Sequence, residues 1–500
     1  VLASRLAGLA RQKTIAHFLG QSTPAADALA AAFRIPNVVQ NLLGEGAMSA
    51  SFVPEYARLI KSGNTQDAER LKNGLLGLLA LAVTIVAALG VLAAPVLVDL
   101  LVPGFEGARR SLAITATRVL FPSVGLLAIS AWCIGVLNTH RRFFLSYAAP
   151  VVWNAAIIGA LFLGADRSDG GVIWAAWGAL LGSSLQLLVQ LPTVIRVAGA
   201  IRPIADFEAP GVRTVLERFG PAVLSRGVVQ IGAFIDTWLA SWLPIGAVAT
   251  LANAQLLYTL PLSLFVVSVT AAILPALAED TVAGAGPSGS ALVGPLRQMA
   301  FFVVPSTVAL VALGGHIGGL VYRSGAFTAA DLTWLHATMG AAALGLVPQA
   351  SARLYATAHF AFGDTVRPLR FAILRLVVST SVGAALALFG PRWLGLDPKF
   401  GTVGLALGWV LGGLVEWRLL RRSVRDRGLQ PGTDRGFGTR VWVAAIVAGG
   451  AGWGVGAALG GAPAWVAALA ALVTFAAGYG AVTIGFALPE AHRLLPARRR

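Results

Sequence analysis

Runs of about 20 apolar residues, broken by polar or Gly/Pro punctuation, recur from one end of this 500-residue chain to the other. A run of that length spans the hydrocarbon core of a bilayer, where every backbone N–H and C=O must be paired within the segment. The composition agrees: 57% of the residues are hydrophobic and 12% charged, against about 45–50% and about 25% in soluble domains. Mean hydropathy is +0.76. We read an all-α polytopic membrane protein with helices near 1–19, 26–57, 74–102, 111–138, 143–165, 171–196, 214–243, 246–276, 294–322, 329–361, 367–390, 400–420, 441–460 and 463–488, fourteen in all. The two longest are expected to continue beyond the membrane or to bend at Pro36 and Pro348. No cleavable signal sequence is visible, and the chain opens at Val1 inside an apolar pattern, so its start is expected to be trimmed, shortening helix one.

The basic residues sort by connection. Of 38 Lys and Arg, 24 lie in connections that follow even-numbered helices or in the tail: 58–72, 141–142, 196–218, Arg297, 367–370, 418–440 and 493–500. Six lie in odd-numbered connections: Arg109, Arg110, Arg167, Arg323, Arg392 and Lys399. By the positive-inside rule both termini are cytoplasmic. A wrong helix count would scramble this alternation. Spread over seven segments, the net charge of +16 reads as a topology signal and weakens a nucleic-acid reading. The densest segment, Arg418 to Arg440, is most simply part of that signal, with contact to anionic lipid as the sharper alternative.

Several chemistries are excluded. The sole cysteine, Cys133, lies in an apolar run, so one chain holds neither a disulfide nor a thiolate metal site. None of the six His has metal-ligand spacing, and no Walker-type phosphate loop occurs, so neither a metal nor ATP hydrolysis is expected. No cofactor is expected; coupling to the membrane potential or to a monovalent cation stays open.

Against this background one stretch is anomalous. Asp27 to Pro54 is long enough to span the bilayer yet carries Asp27, Arg34, Asn37, Gln40, Asn41 and Glu45. At 100° per residue, positions 27, 34, 41 and 45 fall within about 40° of one another. Ionisable groups at membrane depth cost several kcal/mol each unless they face a partner or a wet cavity, so the stripe is a candidate site. A buried structural ion-pair network is the plainer alternative. Arg5, Arg11 and Arg34 concentrate guanidinium in the first two helices, which fits an anionic ligand because Arg pairs bidentately with phosphate or carboxylate.

A repeat is also visible. Pro36 and Pro261 are 225 residues apart, and Pro122 and Pro348 are 226 apart. Asn138-Thr139 has a counterpart in Asp364-Thr365, each Thr lying 17 residues beyond its Pro. Three landmarks at one offset suggest two six-helix lobes, 1–200 and 214–421, joined by a cytoplasmic linker at 201–213. A basic loop (422–440), helices thirteen and fourteen (441–488) and a basic tail (489–500) follow. Lobes with an even number of helices repeat in parallel, with a ligand site expected in the cleft between them, and that architecture reads as a transporter. Small-residue spacings such as Gly178/Gly182 and Gly404/Gly408/Gly412 are read as intramolecular packing. Trp153, Trp393 and Trp465 near helix ends are read as interfacial anchors.

Specific motifs then come into view. Ser4-Arg5-Leu6-Ala7-Gly8-Leu9-Ala10-Arg11 resembles the SRxxGxxR signature of helix one in the MurJ/MviN family of lipid II flippases, within the multidrug/oligosaccharidyl-lipid/polysaccharide exporter superfamily. Further matches are Asp27-Ala28, Arg34-Ile35-Pro36-Asn37, Glu45-Gly46-Ala47, Phe52-Val53-Pro54, Pro103-Gly104-Phe105, Leu137-Asn138-Thr139, Ala149-Pro150, Leu274-Pro275 and Gly363-Asp364-Thr365. The resemblance covers roughly residues 1–421; helices thirteen and fourteen match in hydropathy only. It implies a two-lobed, fourteen-helix protein of the bacterial inner membrane that moves the undecaprenyl-diphosphate-linked peptidoglycan precursor, lipid II, to the outer leaflet for cell-wall synthesis. Lipid II, membrane lipids and other wall-synthesis and division proteins are the implied partners, and a transporter rather than an enzyme is implied.

Carried over position by position, the resemblance implies Arg5, Arg11, Arg34, Asn37 and Gln40 as substrate-binding residues for the diphosphate and headgroup. Asp27 and Glu45 are implied as gating residues or charge partners. Two family arginines are absent: Gln40 and Leu256 stand in their places. A sodium site in some members uses an Asp of helix seven with Asn and Asp of helix eleven; Asp236 matches the first, but helix eleven offers Arg375 and Ser379 instead. Asp236 is alternatively a structural partner of Arg226. Three rivals remain: a cation-coupled drug or polyprenyl-linked oligosaccharide exporter of the same superfamily, a membrane enzyme acting on a polyprenyl-phosphate sugar, and a non-transporting wall-synthesis scaffold. The enzyme would need an Asp- or His-rich catalytic loop, which the sequence does not show.

Overall fold

The computed structural model describes residues 2–43, 45–164, 170–282 and 289–492; inside its helices the side chains at 2, 35–36, 39–43, 45–47, 49, 147, 221–222, 224–229, 274–276 and 278–282 are outside the description. The described residues are all-α. In chain order the helices are α1 (Leu2–Leu19), α2 (Pro24–Leu43), α3 (Glu45–Lys61), α4 (Thr65–Leu92), α5 (Ala94–Leu101), α6 (Gly107–Thr139), α7 (Phe143–Gly164), α8 (Gly170–Ala198), α9 (Val212–Ser241), α10 (Ala247–Pro261), α11 (Val267–Val282), α12 (Val293–Ala312), α13 (Gly314–Tyr322), α14 (Ala329–Ala343), α15 (Leu346–Ala361), α16 (Val366–Leu388), α17 (Gly390–Leu394), α18 (Gly401–Arg425), α19 (Arg435–Ala458), α20 (Ala464–Gly485) and α21 (Pro489–His492). Among the described residues, ten helical stretches are long and apolar enough to cross a membrane.

Several expected single helices are pairs laid end to end. Within the stretch 26–57, α2 runs on past position 36, so Pro36 marks no break. The stretch 329–361 parts at Leu344 and Gly345, and Pro348 lies in the first turn of α15. A proline cannot donate to the carbonyl four residues back but is tolerated in a first turn, so the break falls upstream of it. The 74–102 and 294–322 stretches divide at Ala93 and Leu313. The 246–276 stretch passes through a π-helical turn, Leu262–Val266, directly after Pro261.

The chain forms two compact units, Val1–Ala249 with Ser324–Phe327, and Thr250–Arg323 with Thr328–Arg500. In the first, α6 is the central helix, packed against α2, α3, α4 and α8. One core cluster joins α3, α4, α6 and the start of α9 around Phe52, Leu71 and Trp132; another joins α1, α2, α6, α7 and α8 around Leu29, Ile157 and Leu161. At one end Lys72, fully buried, donates to the carbonyls of Ala198 (2.6 Å) and Ala200 (2.9 Å), and the Asn73 side chain accepts from the Arg202 amide. Tyr56 meets His140 at 3.3 Å at the same end. The connections after expected helices two, four and six are thus gathered together. At the other end the Ala326 amide donates to the His17 carbonyl (2.7 Å), and Gly104 and Ser241 adjoin. These are odd-numbered connections. Sorting of ends by parity is what an alternating membrane topology requires.

In the second unit, even-numbered connections and the tail are likewise joined. The Gln430 amide donates to the Gly289 carbonyl (2.6 Å), Tyr355 Oη donates to the Pro431 carbonyl (2.6 Å), and Arg427 pairs with Asp364. Arg297 pairs with Glu490 at 2.8 Å. The Asp364 carboxyl is held below the usual carboxylate range, first by the Arg367 amide that donates to it and then by Arg427. The small-residue spacings are indeed intramolecular. A Cβ on Gly408 would lie 2.5 Å from the Gly383 Cα, and one on Gly182 would lie 2.8 Å from the Trp153 carbonyl, so α18 on α16 and α8 on α7 pack backbone to backbone. Trp393 and Trp465 are 73% and 61% exposed, as anchors would be, but Trp153 is half-buried inside the first unit.

The parity has a direct check. With Cys133 buried, single cysteines placed at Ser62 and Glu208 should react with a membrane-impermeant maleimide from one side of intact membranes, and cysteines at Glu106 and Ile245 from the other. Labelling of all four from the same side would dismantle the topology.

Candidate functional site

The polar stripe of α2 is built by a well-specified helix start. Gly20, at φ +71°, ends α1 where a Cβ would sit 3.0 Å from the Ala326 carbonyl oxygen. Thr23 then accepts from the Ala26 amide (3.1 Å) and Pro24 opens α2, a favourable first-turn residue. Ala25, Ala26, Ala28, Ala31 and Ala32 are buried, so α2 lies close on its neighbours. These features fix Asp27 in the first turn and Arg34 two turns on along the same face.

Asp27 is wholly buried. Its Oδ2 accepts from the Gly246 amide at 2.8 Å, and its Oδ1 from the Ala249 amide at 2.9 Å. Gly246 directly precedes α10 and Ala249 lies in its first turn, where N–H groups have no partner within the helix. Asp27 therefore caps α10 from another element, placing negative charge at the positive end of a helix dipole. Arg109 completes the set, its Nη2 lying 3.1 Å from Asp27 Oδ2 and its guanidinium 3.9 Å from the centre of the Phe105 ring. The Gly104 amide donates to Ser241 Oγ (3.2 Å), and a Cβ on Gly104 would lie 2.3 Å from the Ser241 carbonyl oxygen. Pro103-Gly104-Phe105 is thus the wall against which the end of α9 and the start of α10 are seated.

Two turns further along α2 on the same face, Arg34 Nε donates to Thr237 Oγ1 at 3.0 Å, and the Asp236 carboxylate acts electrostatically on the same guanidinium. The alternative pairing of Asp236 with Arg226 falls outside the described residues. The charge acting on Asp236 is one the protein supplies itself. With α16 also lacking Asn and Asp, the residues do not fit a sodium site of the kind known in some relatives of the resembled family. Among the described residues no group of three His, Cys, Asp or Glu could hold a metal ion.

Arg11 lies on α1. Its guanidinium is 4.7 Å from the Trp153 ring and 5.7 Å from the Phe33 ring, and Trp153 is held in turn by donating to the Ala179 carbonyl (3.1 Å). Arg11 Nε is buried and has no hydrogen-bond partner among the described residues. An aromatic cradle with an unused donor is an arrangement that an anionic oxygen can complete. Arg5 and Asn37 are exposed. Gln40 and Glu45 lie outside the described side chains. Leu256 is half-buried on α10 and supplies no charge.

Sequence reasoning missed Arg109, which it sorted among the loop cations, and gave Asp27 no partner beyond the helix-one arginines. The signal was the isolated Arg pair in a connection otherwise poor in cations, directly after a Pro-Gly-Phe turn. It also mistook Trp153 for a lipid-facing anchor.

Ten described helices long and apolar enough to cross a membrane, with charged groups buried between helices of one compact unit, define a polytopic membrane protein. The family profile described as "Lipid II flippase MurJ" matches residues 15–473. The chain is 31% identical over 458 residues to the lipid II flippase MurJ of Burkholderia cenocepacia, covering 90% of this chain and 87% of that one. It therefore belongs to the MurJ family. Its fold is similar to that of a solved lipid II flippase MurJ in an inward closed conformation (TM-score 0.75, 22% identity, 97% and 98% coverage). The fold is also shared with an inward-facing multidrug resistance MATE family transporter of the MOP superfamily (TM-score 0.68, 17% identity, 85% and 94% coverage).

If Asp27 is the linchpin of this junction, Asp27→Asn should lower the thermal unfolding temperature clearly, because it leaves Arg109 buried without its counter-charge, at a cost of about 3 kcal/mol or more. The double variant Asp27→Asn/Arg109→Met should recover part of that loss, with a coupling on the order of 1–3 kcal/mol in a double-mutant cycle. Additive losses would show that the two side chains act independently.

Proposed function

We propose that this chain flips lipid II across the bacterial inner membrane, from the inner to the outer leaflet, by alternating access. The observation that carries the binding site is Arg11: a guanidinium set against the Trp153 and Phe33 rings with its Nε unclaimed. Arg is suited to a diphosphate because its planar fork pairs with two oxygens at once. Arg5, Arg34, Asn37 and Gln40 complete the headgroup-binding set in this reading, and the prenyl tail stays in lipid. Arg34 is already engaged with Thr237, so it meets the headgroup by exchanging that contact.

Alternating access requires contacts present in one state and lost in the other. Asp27 supplies a candidate. It holds the first turn of α10, and α10 continues from Ala249 into the second unit. Release of the two amides and of Arg109 would cost several charge-assisted hydrogen bonds, so the Asp27 junction acts as a latch that substrate binding must outweigh. Glu45 is a second gating residue in this reading.

The finer architecture belongs to the same proposal. Fourteen helices arise when the ten apolar spans are joined by the polar stretches 1–19, 26–57, 214–243 and 329–361. They form two six-helix lobes, 1–200 and 214–421, linked by 201–213, with helices thirteen and fourteen (441–488) appended and the basic segments 422–440 and 489–500 cytoplasmic. Both termini then lie in the cytoplasm.

Lipid II translocation in proteoliposomes tests the reading. Arg11→Ala should reduce the rate at least about tenfold, the equivalent of one charge-assisted hydrogen bond, while Arg11→Lys, which keeps the charge but not the fork, should fall between. In cells, Arg11→Ala should fail to rescue a strain depleted of its own flippase at unchanged protein level. Full rescue would remove Arg11 from the binding site.

A further inference from the structure

The end of α18 carries a second cationic site, unrelated to the stripe of α2. Arg418, Arg421, Arg422 and Arg425 are all exposed and spaced i, i+3, i+4 and i+7, so they share one helical face. With Trp417 and Pro431 they line a cavity of about 660 Å³. Like charges at this spacing destabilise a helix by a few tenths of a kcal/mol per pair, and no described carboxylate forms an ion pair with any of the four. That contrasts with their neighbours in the same unit. Arg427 pairs with Asp364, Arg375 with Glu416, and Arg297 with Glu490.

The cavity wall is fixed rather than incidental. Past the end of α18 the Gly428 amide donates to the Arg425 carbonyl and the Leu429 amide to the Val424 carbonyl, with Gly428 at φ +81° and Leu429 buried. Gln430 and Pro431 are then tied to Gly289 and Tyr355. Arg421 lies 5.2 Å from the centre of the Trp417 ring, which orients one guanidinium of the cavity lining. A topology signal needs only the number of positive charges. It does not require four of them to share a face, to escape neutralisation, and to border a half-open cavity beside a tryptophan at the end of an apolar helix.

We propose that this cavity binds the phosphate headgroup of an anionic glycerophospholipid, with the acyl chains lying along the apolar part of α18. Arginine forks match phosphate oxygens, Trp417 adjoins them at the end of an apolar helix, and basic pockets beside membrane helices recognise such headgroups. The site is distinct from the proposed lipid II site. Its leaflet follows from the orientation proposed above, but its binding chemistry does not.

Native mass spectrometry of the delipidated full chain, titrated with phosphatidylglycerol and, separately, phosphatidylcholine, tests this. The first phosphatidylglycerol should bind about tenfold or more tighter than phosphatidylcholine. Arg418→Gln/Arg421→Gln/Arg422→Gln/Arg425→Gln should lose that preference, while Arg435→Gln/Arg440→Gln, which removes exposed charge outside the cavity, should keep it. If the quadruple variant does not fold, Arg421→Gln and Arg422→Gln alone should each weaken phosphatidylglycerol severalfold. A preference retained by the cavity variants, or lost equally in the control, overturns the proposal. Millimolar inorganic phosphate should displace the lipid only weakly; displacement at the potency of phosphatidylglycerol itself would assign the cavity to a free anion instead.

Discussion

A carboxylate with no exposure to solvent, at Asp27, holds together the first unit's polar junction. Burying a charge is unfavourable unless its hydrogen-bonding capacity is met, and here it is met by the Gly246 and Ala249 amides and the Arg109 guanidinium. Everything near it is arranged around that requirement. The Gly104 turn lets the end of α9 approach, Phe105 covers the Arg109 face, and Thr23 with Pro24 fixes the rotational phase of α2. The same phase brings Arg34 to Thr237 and Asp236.

Polar groups in this protein are therefore handled in two ways. Asp27, Arg109, Lys72 and Arg34 are tied to protein partners and stabilise junctions between elements. Arg11 and the four arginines of the α18 face are stacked or exposed without a described carboxylate. Both of the latter groups keep guanidinium donors that an anionic oxygen can engage, which is the basis of the two binding sites proposed above.

Much of the fold was legible. The apolar runs and the small-residue spacings reappear as helices and as backbone-to-backbone packing of α18 on α16 and α8 on α7. The helix breaks were less legible. A break at Leu344 and Gly345 rather than at Pro348 follows from the carbonyl that a proline leaves unpaired upstream, and the sequence pattern marks the proline, not that carbonyl. Of the candidate site, Asp27, Arg11 and Arg34 stood out because charge in an apolar run is costly. Arg109 did not, because it lies beside a loop, where a cation looks ordinary.

The sequence by itself determined the solvent of this protein, its helical class and its family, since hydropathy, charge alternation and local motifs are properties of neighbours along the chain. Only the tertiary structure decided which charge answers which. Asp27 meets residues 82 and more than 200 positions away, Arg11 is framed by residues of α2 and α7, and Asp236 acts on Arg34 of α2. Partner choice for a buried charge depends on distance through space and on the donors left over at helix ends, and neither is encoded in a residue's immediate surroundings.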